Sequence, residues 1–212
     1  MFRKKKYIYL ILSFLMGITY FYLSFLVDRD IFRKFDYENM ITIQNKFDRR
    51  VDLPFSIITL LGSSEVVSAI LACLFISLLL VKRYFFAGLI LYFTIFIIEI
   101  TSKLLIYHPA PPSFLNRYIF NFHLPSSFIV HTSFSYPSGH MARVSFLAVI
   151  FLFLLSLVKI NSFKKIIIAI VIISFITVTY ISRIYLGEHW FSDVLGGLIL
   201  GSGIAFLAIS FF

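Results

Sequence analysis

Seven residues in three short stretches of this 212-residue chain have the types and spacing for chemistry on an anion: Lys103; Ser138, Gly139 and His140 of "PSGH"; and Arg183, His189 and Asp193 of "SRIYLGEHWFSD". His189 and Asp193 are four residues apart, so they share a helix face if a helix has begun by residue 189. A carboxylate bonded to one ring nitrogen fixes the tautomer and leaves the other nitrogen free to attack. Two histidines with separate partners make a phosphoryl-transfer set: one attacks phosphorus and the other protonates the leaving alcohol or phosphate. Neither a metal nor another cofactor is needed for that. Lys103, Arg183 and Arg143 supply cations, and both the arginine fork and the lysine point charge suit phosphate. Ser138 fits the N-cap of a helix entered after Pro137, where free backbone N–H groups and the positive end of the helix dipole point the same way. Glycine at 139 allows close backbone approach. The stretch reads as a phosphate cradle with His140 beside the bound group. A serine nucleophile at Ser138 is disfavoured because "PSGH" lacks the strand-to-helix elbow of the hydrolases. A zinc site from His140, His189 and Asp193 is disfavoured too, since no HExxH is present and the nearby cations would repel a metal.

The elements that must position these residues are written for lipid. A hydrophobic content of 60% with 14% charged residues marks an all-α integral membrane bundle rather than a soluble enzyme. About 20 apolar residues cross a bilayer as a helix. Six transmembrane helices are predicted, at 7–27, 55–81, 84–107, 138–158, 165–186 and 189–211, forming one membrane domain over residues 1–212. The turns "VKRY" and "KINSFKK" are short enough to make hairpins of the second and third spans and of the fourth and fifth. Residues 28–54 and 108–137 are the long loops. "MFRKKK" before the first span reads as a signal anchor that stays attached, because the apolar stretch exceeds the ~7–15 residues of a signal core. In the first loop Phe32, Phe35, Met40, Ile43 and Phe47 recur at helical spacing, which predicts an amphipathic helix on the membrane surface.

Net charge is +9, with several basic residues beside apolar runs, a signal for topology and anionic lipid rather than nucleic acid. Arg3, Lys4, Lys5, Lys6, Lys82, Arg83, Lys159, Lys164 and Lys165 gather on one side, which the positive-inside rule makes cytoplasmic. Alternating the six spans then puts Lys103, "PSGH", Arg183 and His189 on one face whichever way the bundle is oriented. With the lysine-rich turns inside, that face is the outer one. The lone cysteine, Cys73, excludes a disulfide or a cysteine metal site within the chain. Glu99, four residues before Lys103, is expected to pair with it. Glu65 after "GSS" is expected to be hydrogen-bonded or protonated inside a tight helix contact. His108, His123 and His131 read as interfacial or solvent-facing, and Trp190 as belt or bundle packing.

"YPSGH" and "SR-x5-H-x3-D" resemble the second and third signature motifs of the type 2 phosphatidic acid phosphatase (PAP2) family of membrane lipid phosphatases, related to vanadium haloperoxidases. The family's first motif, K-x6-R-P, is here "KLLIYHPAP", with Lys103 and Pro111 in place and Ala110 where the arginine would stand. The resemblance covers roughly residues 55–211 in order and spacing. It implies His189 as a nucleophile forming phosphohistidine, Asp193 as its orienter and His140 as the general acid. Lys103, Ser138, Gly139 and Arg183 would hold phosphoryl oxygens. Arg143, one turn after His140, or Arg117 in the adjoining loop would supply the charge that Ala110 lacks. The expected activity is hydrolysis of a lipid phosphomonoester or diphosphate at the outer face of the cytoplasmic membrane, on polyprenyl diphosphate, phosphatidic acid or phosphatidylglycerol phosphate. A lipid phosphotransferase or a non-catalytic lipid-phosphate binder or transporter is the alternative. The partners expected are that lipid substrate and membrane lipids, with no nucleic acid and no obligate protein partner.

Overall fold

The structure, a computed structural model, describes residues 2–80, 86–120 and 133–211; Lys82, Arg83, His123, His131 and the side chains of Arg3, Lys4 and Lys5 lie outside the described residues. The long apolar runs fold as helices because lipid offers their N–H and C=O groups no partner outside the segment. Among the described residues they are α1 (Phe2–Asp28), α2 (Arg33–Lys46), α3 (Asp52–Leu61), α4 (Ser64–Leu80), α5 (Phe86–Leu89), α6 (Tyr92–Leu105), α7 (Gly139–Leu157), α8 (Ser162–Tyr185) and α9 (Phe191–Ile209). An isolated bridge, Pro109 to Phe134, pairs the two ends of the loop between α6 and α7.

Four of the expected spans are single helices long and apolar enough to cross a membrane: Lys6–Asp28, Gly139–Leu157, Ser162–Tyr185 and Phe191–Ile209. The expected span 55–81 is bent. Arg49–Leu61 and Ser64–Leu80 meet at 43° and qualify only as a pair. The expected span 84–107 is split at Ile90 and Leu91, where Leu91 N donates to Gly88 O at 3.2 Å and Phe93 N to Ile90 O at 3.1 Å, the tighter i to i+3 pattern. Helix α6 has 14 residues, which at ~1.5 Å per residue reaches ~21 Å, short of the ~30 Å hydrocarbon core. The described residues therefore hold four to five spans by length and composition, and the predicted six is not reached with unbroken helices.

Burial separates inner from outer helices. In α9, 61% of the most apolar window is buried and in α7 50%, against 11% in α1 and α8. Helices α7 and α9 are thus the central pair, and α1 and α8 turn residues such as Phe14, Phe21, Ile166 and Ile170 outward. Exposed apolar side chains cost nothing against lipid, so close packing must hold such a bundle together. The α7–α9 seam shows it: a Cβ at Gly201 would overlap Ala142 O and Ser145 Oγ.

Helix α2 forms where predicted, but its buried stripe is Asp36, Met40 and Gln44, while Phe35 is exposed. Its five apolar residues therefore do not share one face. The inward face carries polar anchors instead, with Gln44 Nε2 donating to Leu115 O at 2.8 Å and Tyr185 O at 2.9 Å. Such bonds dock α2 on the end of the bundle. Gly201→Leu is expected to lower the melting temperature in detergent by wedging α7 from α9, a destabilisation of ~1–3 kcal/mol or more from overpacking; an unchanged melting curve would show that the seam can yield.

Candidate active site

Three helix ends and one turn build the site. Lys103 is in the last turn of α6, Ser138 is the N-cap of α7 with Gly139, His140 and Arg143 in its first turns, and Arg183 is in the last turn of α8. Helix α8 stops because Gly187 takes φ 70°, a left-handed conformation that reverses the chain, and His189 N returns to Arg183 O at 3.3 Å. Helix α9 starts at Phe191, two residues later than the spacing argument assumed. His189 and Asp193 meet all the same. Asp193 accepts from the backbone N–H of Trp190 at 2.9 Å, as the third helical residue of a capping box does, and its same oxygen, Oδ2, lies 3.2 Å from His189 Nδ1. Trp190 is more than packing, since its Nε1 donates to Pro109 O at 2.7 Å.

The predicted groups converge. Arg183, Lys103 and Arg143 are the charged side chains that act most strongly on the His189 ring. The same three, with His189, surround His140. Ser138 N donates to Asp193 O at 2.9 Å, tying the start of α7 to the start of α9.

Each cation already has an internal anion. Glu99 pairs with Lys103 as expected, Nζ to Oε1 at 2.8 Å, and its other oxygen takes Arg143 Nη1 at 2.8 Å. The carboxylate lies against Gly139, where any Cβ would overlap it. Arg183 Nη1 donates to Glu188 and, at 2.7 Å, to Thr59 Oγ1. Burial pushes the Glu188 carboxyl above the usual range, against the pull of Arg183. Glu65 receives Ser64 Oγ at 3.4 Å on α4. Ser138 Oγ, Arg143 Nε and Arg183 Nε are buried with no hydrogen-bond partner among the described residues. Buried donors in that state call for a ligand or water. Arg117 is committed elsewhere: Nη1 donates to Gln44 O at 3.0 Å and the guanidinium covers the Tyr185 ring at 4.9 Å. Among the described residues no group of three His, Cys, Asp or Glu could hold a metal ion.

His108 departs from its expected place at the solvent, with only 3% of its surface exposed. Its Nε2 lies 3.1 Å from Ser192 Oγ and 3.4 Å from Asp193 Oδ1, and Ser192 is in turn bound by Asp36 of α2. Ala110, two residues on, lines a cavity of about 650 Å³ together with Tyr37, Tyr107, His108 and Trp190.

Residues 83–212 match the family model described as the PAP2 superfamily. The chain belongs to the PAP2 superfamily. Its fold is similar to the crystal structure of a transmembrane PAP2-type phosphatidylglycerolphosphate phosphatase from Bacillus subtilis, with a TM-score of 0.74 and 21% identity over 92% of this chain and 93% of that one. It is also similar to Aquifex aeolicus LpxE, with a TM-score of 0.58 and 22% identity over 82% of this chain and 94% of that one. No curated protein matches the chain. This PAP2 chain is a multi-pass membrane protein.

Sequence reasoning missed Glu188, Thr59, Asp36, Ser192 and His108 as members of the PAP2 site region. Only Asp36 left a signal, as a polar residue four before Met40 and eight before Gln44. Glu188→Gln leaves Arg183 without its internal partner, so the variant is expected to melt lower than wild type and to gain more from added inorganic phosphate. Equal phosphate-induced shifts in melting temperature would show that Glu188 does not compete with an anion for Arg183.

Proposed function

We propose that the protein is a membrane lipid phosphatase that cleaves a phosphomonoester or diphosphate through a phosphohistidine. The observation that carries this reading is His189, held through Nδ1 by Asp193 and facing Lys103, Arg143 and Arg183. The Asp193 bond assigns the proton of the neutral ring to Nδ1 and leaves the Nε2 lone pair for attack. Nε2 bonds to phosphorus as the P–O bond to the lipid breaks, and His140 gives its proton to the departing oxygen. His140 then takes a proton from water, which attacks phosphorus and breaks the P–N bond to release phosphate. Lys103, Arg143, Arg183 and the N–H groups at the start of α7 hold the non-bridging oxygens, where charge shifts during transfer.

Arg143 fills the role left open by Ala110. It stands beside Lys103 on the shared Glu99 carboxylate, whereas Arg117 is spent on Gln44 and Tyr185. The chemistry of the site needs no metal. Candidate substrates are phosphatidylglycerol phosphate, as the name of the Bacillus subtilis structure suggests, phosphatidic acid and polyprenyl diphosphate. The lysine-rich ends of the spans favour a site at the outer face of the cytoplasmic membrane.

Purified protein tested on those three lipids should release inorganic phosphate equally with and without chelator. His189→Ala should lose activity by roughly a thousandfold or more, and His140→Ala by about 10²–10⁴-fold. Wild-type rates in His189→Ala would remove the nucleophile, and transfer of label to a second lipid without phosphate release would make the enzyme a phosphotransferase. In the same assay Arg143→Ala should be slowed and Arg117→Ala should not; the reverse order would reassign the missing cation.

A further inference from the structure

A second carboxylate and a third imidazole stand behind the His189–Asp193 pair: Asp36 on α2, outside the three motifs, and His108 at a position that the first motif leaves open. Asp36 of α2 is 1% exposed, Ser192 of α9 0%, His108 3% and Asp193 0%. Asp36 Oδ1 accepts the backbone N–H of Ser192 at 2.9 Å and Oδ2 accepts its hydroxyl at 2.6 Å. His108 Nε2 then reaches Ser192 Oγ at 3.1 Å and Asp193 Oδ1 at 3.4 Å. From this chain of contacts we infer that Asp36, Ser192 and His108 form a positioning relay that orients the Asp193 carboxylate and, through it, the His189 ring. The inference rests on His189 being the nucleophile.

Proton counting gives the relay its direction. Burial raises Asp36 to about 6, so at neutral pH it is mostly ionised and can only accept. The single hydroxyl proton of Ser192 is therefore given to Asp36, and Ser192 Oγ is left as an acceptor toward His108. Burial holds His108 down to about 4, so its ring is neutral and carries one proton. That proton must sit on Nε2, directed between Ser192 Oγ and Asp193 Oδ1. Nδ1 is then a bare acceptor, consistent with its having no hydrogen-bond partner among the described residues. Asp193 Oδ2 is thus bonded to Trp190 N and His189, while Oδ1, which has no hydrogen-bond partner among the described residues, lies 3.4 Å from His108 Nε2. The Ser135 hydroxyl donates to His108 O at 3.3 Å and so steadies the His108 backbone. A carboxylate bonded through one oxygen, with the polar edge of His108 facing the other, is disfavoured from swinging, and an imidazole bonded to it keeps the aim that attack on phosphorus requires.

The relay also gives α2 a function. This helix carries none of the three motifs, yet its buried Asp36 carboxylate sets the hydrogen-bond sense at the start of α9. Asp36→Asn is the sharpest probe because it conserves shape. An amide can give a hydrogen to Ser192 Oγ, so the hydroxyl proton turns toward His108 and the tautomer that serves Asp193 is lost.

The test uses full-length protein and whichever of phosphatidic acid, phosphatidylglycerol phosphate and undecaprenyl diphosphate wild type cleaves fastest, with melting temperatures taken in the same detergent. His108→Leu and Asp36→Asn are expected to lower kcat by about 10- to 100-fold, the range for residues that support a functional imidazole, with KM little changed. His108→Gln, whose amide N–H has similar reach, should recover most of the loss. Equal losses for His108→Leu and His108→Gln, a kcat loss that tracks melting temperature, or wild-type kcat in Asp36→Asn would overturn the relay. His189→Ala is run beside them. If it is inactive while His108→Leu and Asp36→Asn keep wild-type kcat, the relay alone falls; if it is as active as wild type, the nucleophile assignment falls and takes the relay with it.

Discussion

Two buried arginines and the partly buried Lys103 meet among helix ends, each held by a resident carboxylate: Lys103 and Arg143 share Glu99, and Arg183 has Glu188. The rest of the site follows from this pairing. Removing one partner of a buried ion pair costs about 3–5 kcal/mol, because the remaining charge has neither water nor counter-ion. Glu99 and Glu188 are therefore as necessary to the resting fold as the cations are to the proposed chemistry. The unpartnered Ser138 hydroxyl, the unpartnered Nε atoms of Arg143 and Arg183 and the N-terminus of α7 all suit an anion.

Backbone contact, more than side-chain reach, holds these groups in register. The start of α7 is bonded to the first turn of α9 through Ser138 N and Asp193 O, and small residues let the two helices touch further along. The turn at Gly187 aims His189 back over the end of α8, while α2 and the loop at Leu115 brace it from outside through Gln44. Such bracing uses hydrogen bonds to carbonyls, which keep their strength where apolar burial supplies little drive.

Much of this was legible before any coordinates. The four-residue spacing of His189 and Asp193 announced a contact, and alternation of the spans put Lys103, "PSGH", Arg183 and His189 together. Both survive errors of detail: α9 starts late and two spans are broken, but neither change moves a residue to the other end of the bundle. What failed needed tertiary knowledge. A histidine in a long loop looks solvated until the loop is seen to pair 108–110 with 133–135 and fold inward. Apolar periodicity in α2 was real as helix but misleading as orientation, because polar Asp36 and Gln44 have partners inside that no local pattern reveals. Glu188 pairs with Arg183 across the turn at Gly187, a contact that no local sequence pattern marks.

The pairing of Lys103 and Arg143 with Glu99, and of Arg183 with Glu188, bears on how such a site would ignore the lipids around it. Ordinary bilayer phospholipids are diesters, each with a single negative charge on phosphorus and two blocked oxygens. Such a group offers the cations no more than a resident carboxylate already does. A terminal phosphate, doubly charged with three free oxygens, would outbid both carboxylates at once, so the resident pairs would themselves discriminate against a vast excess of neighbouring headgroups.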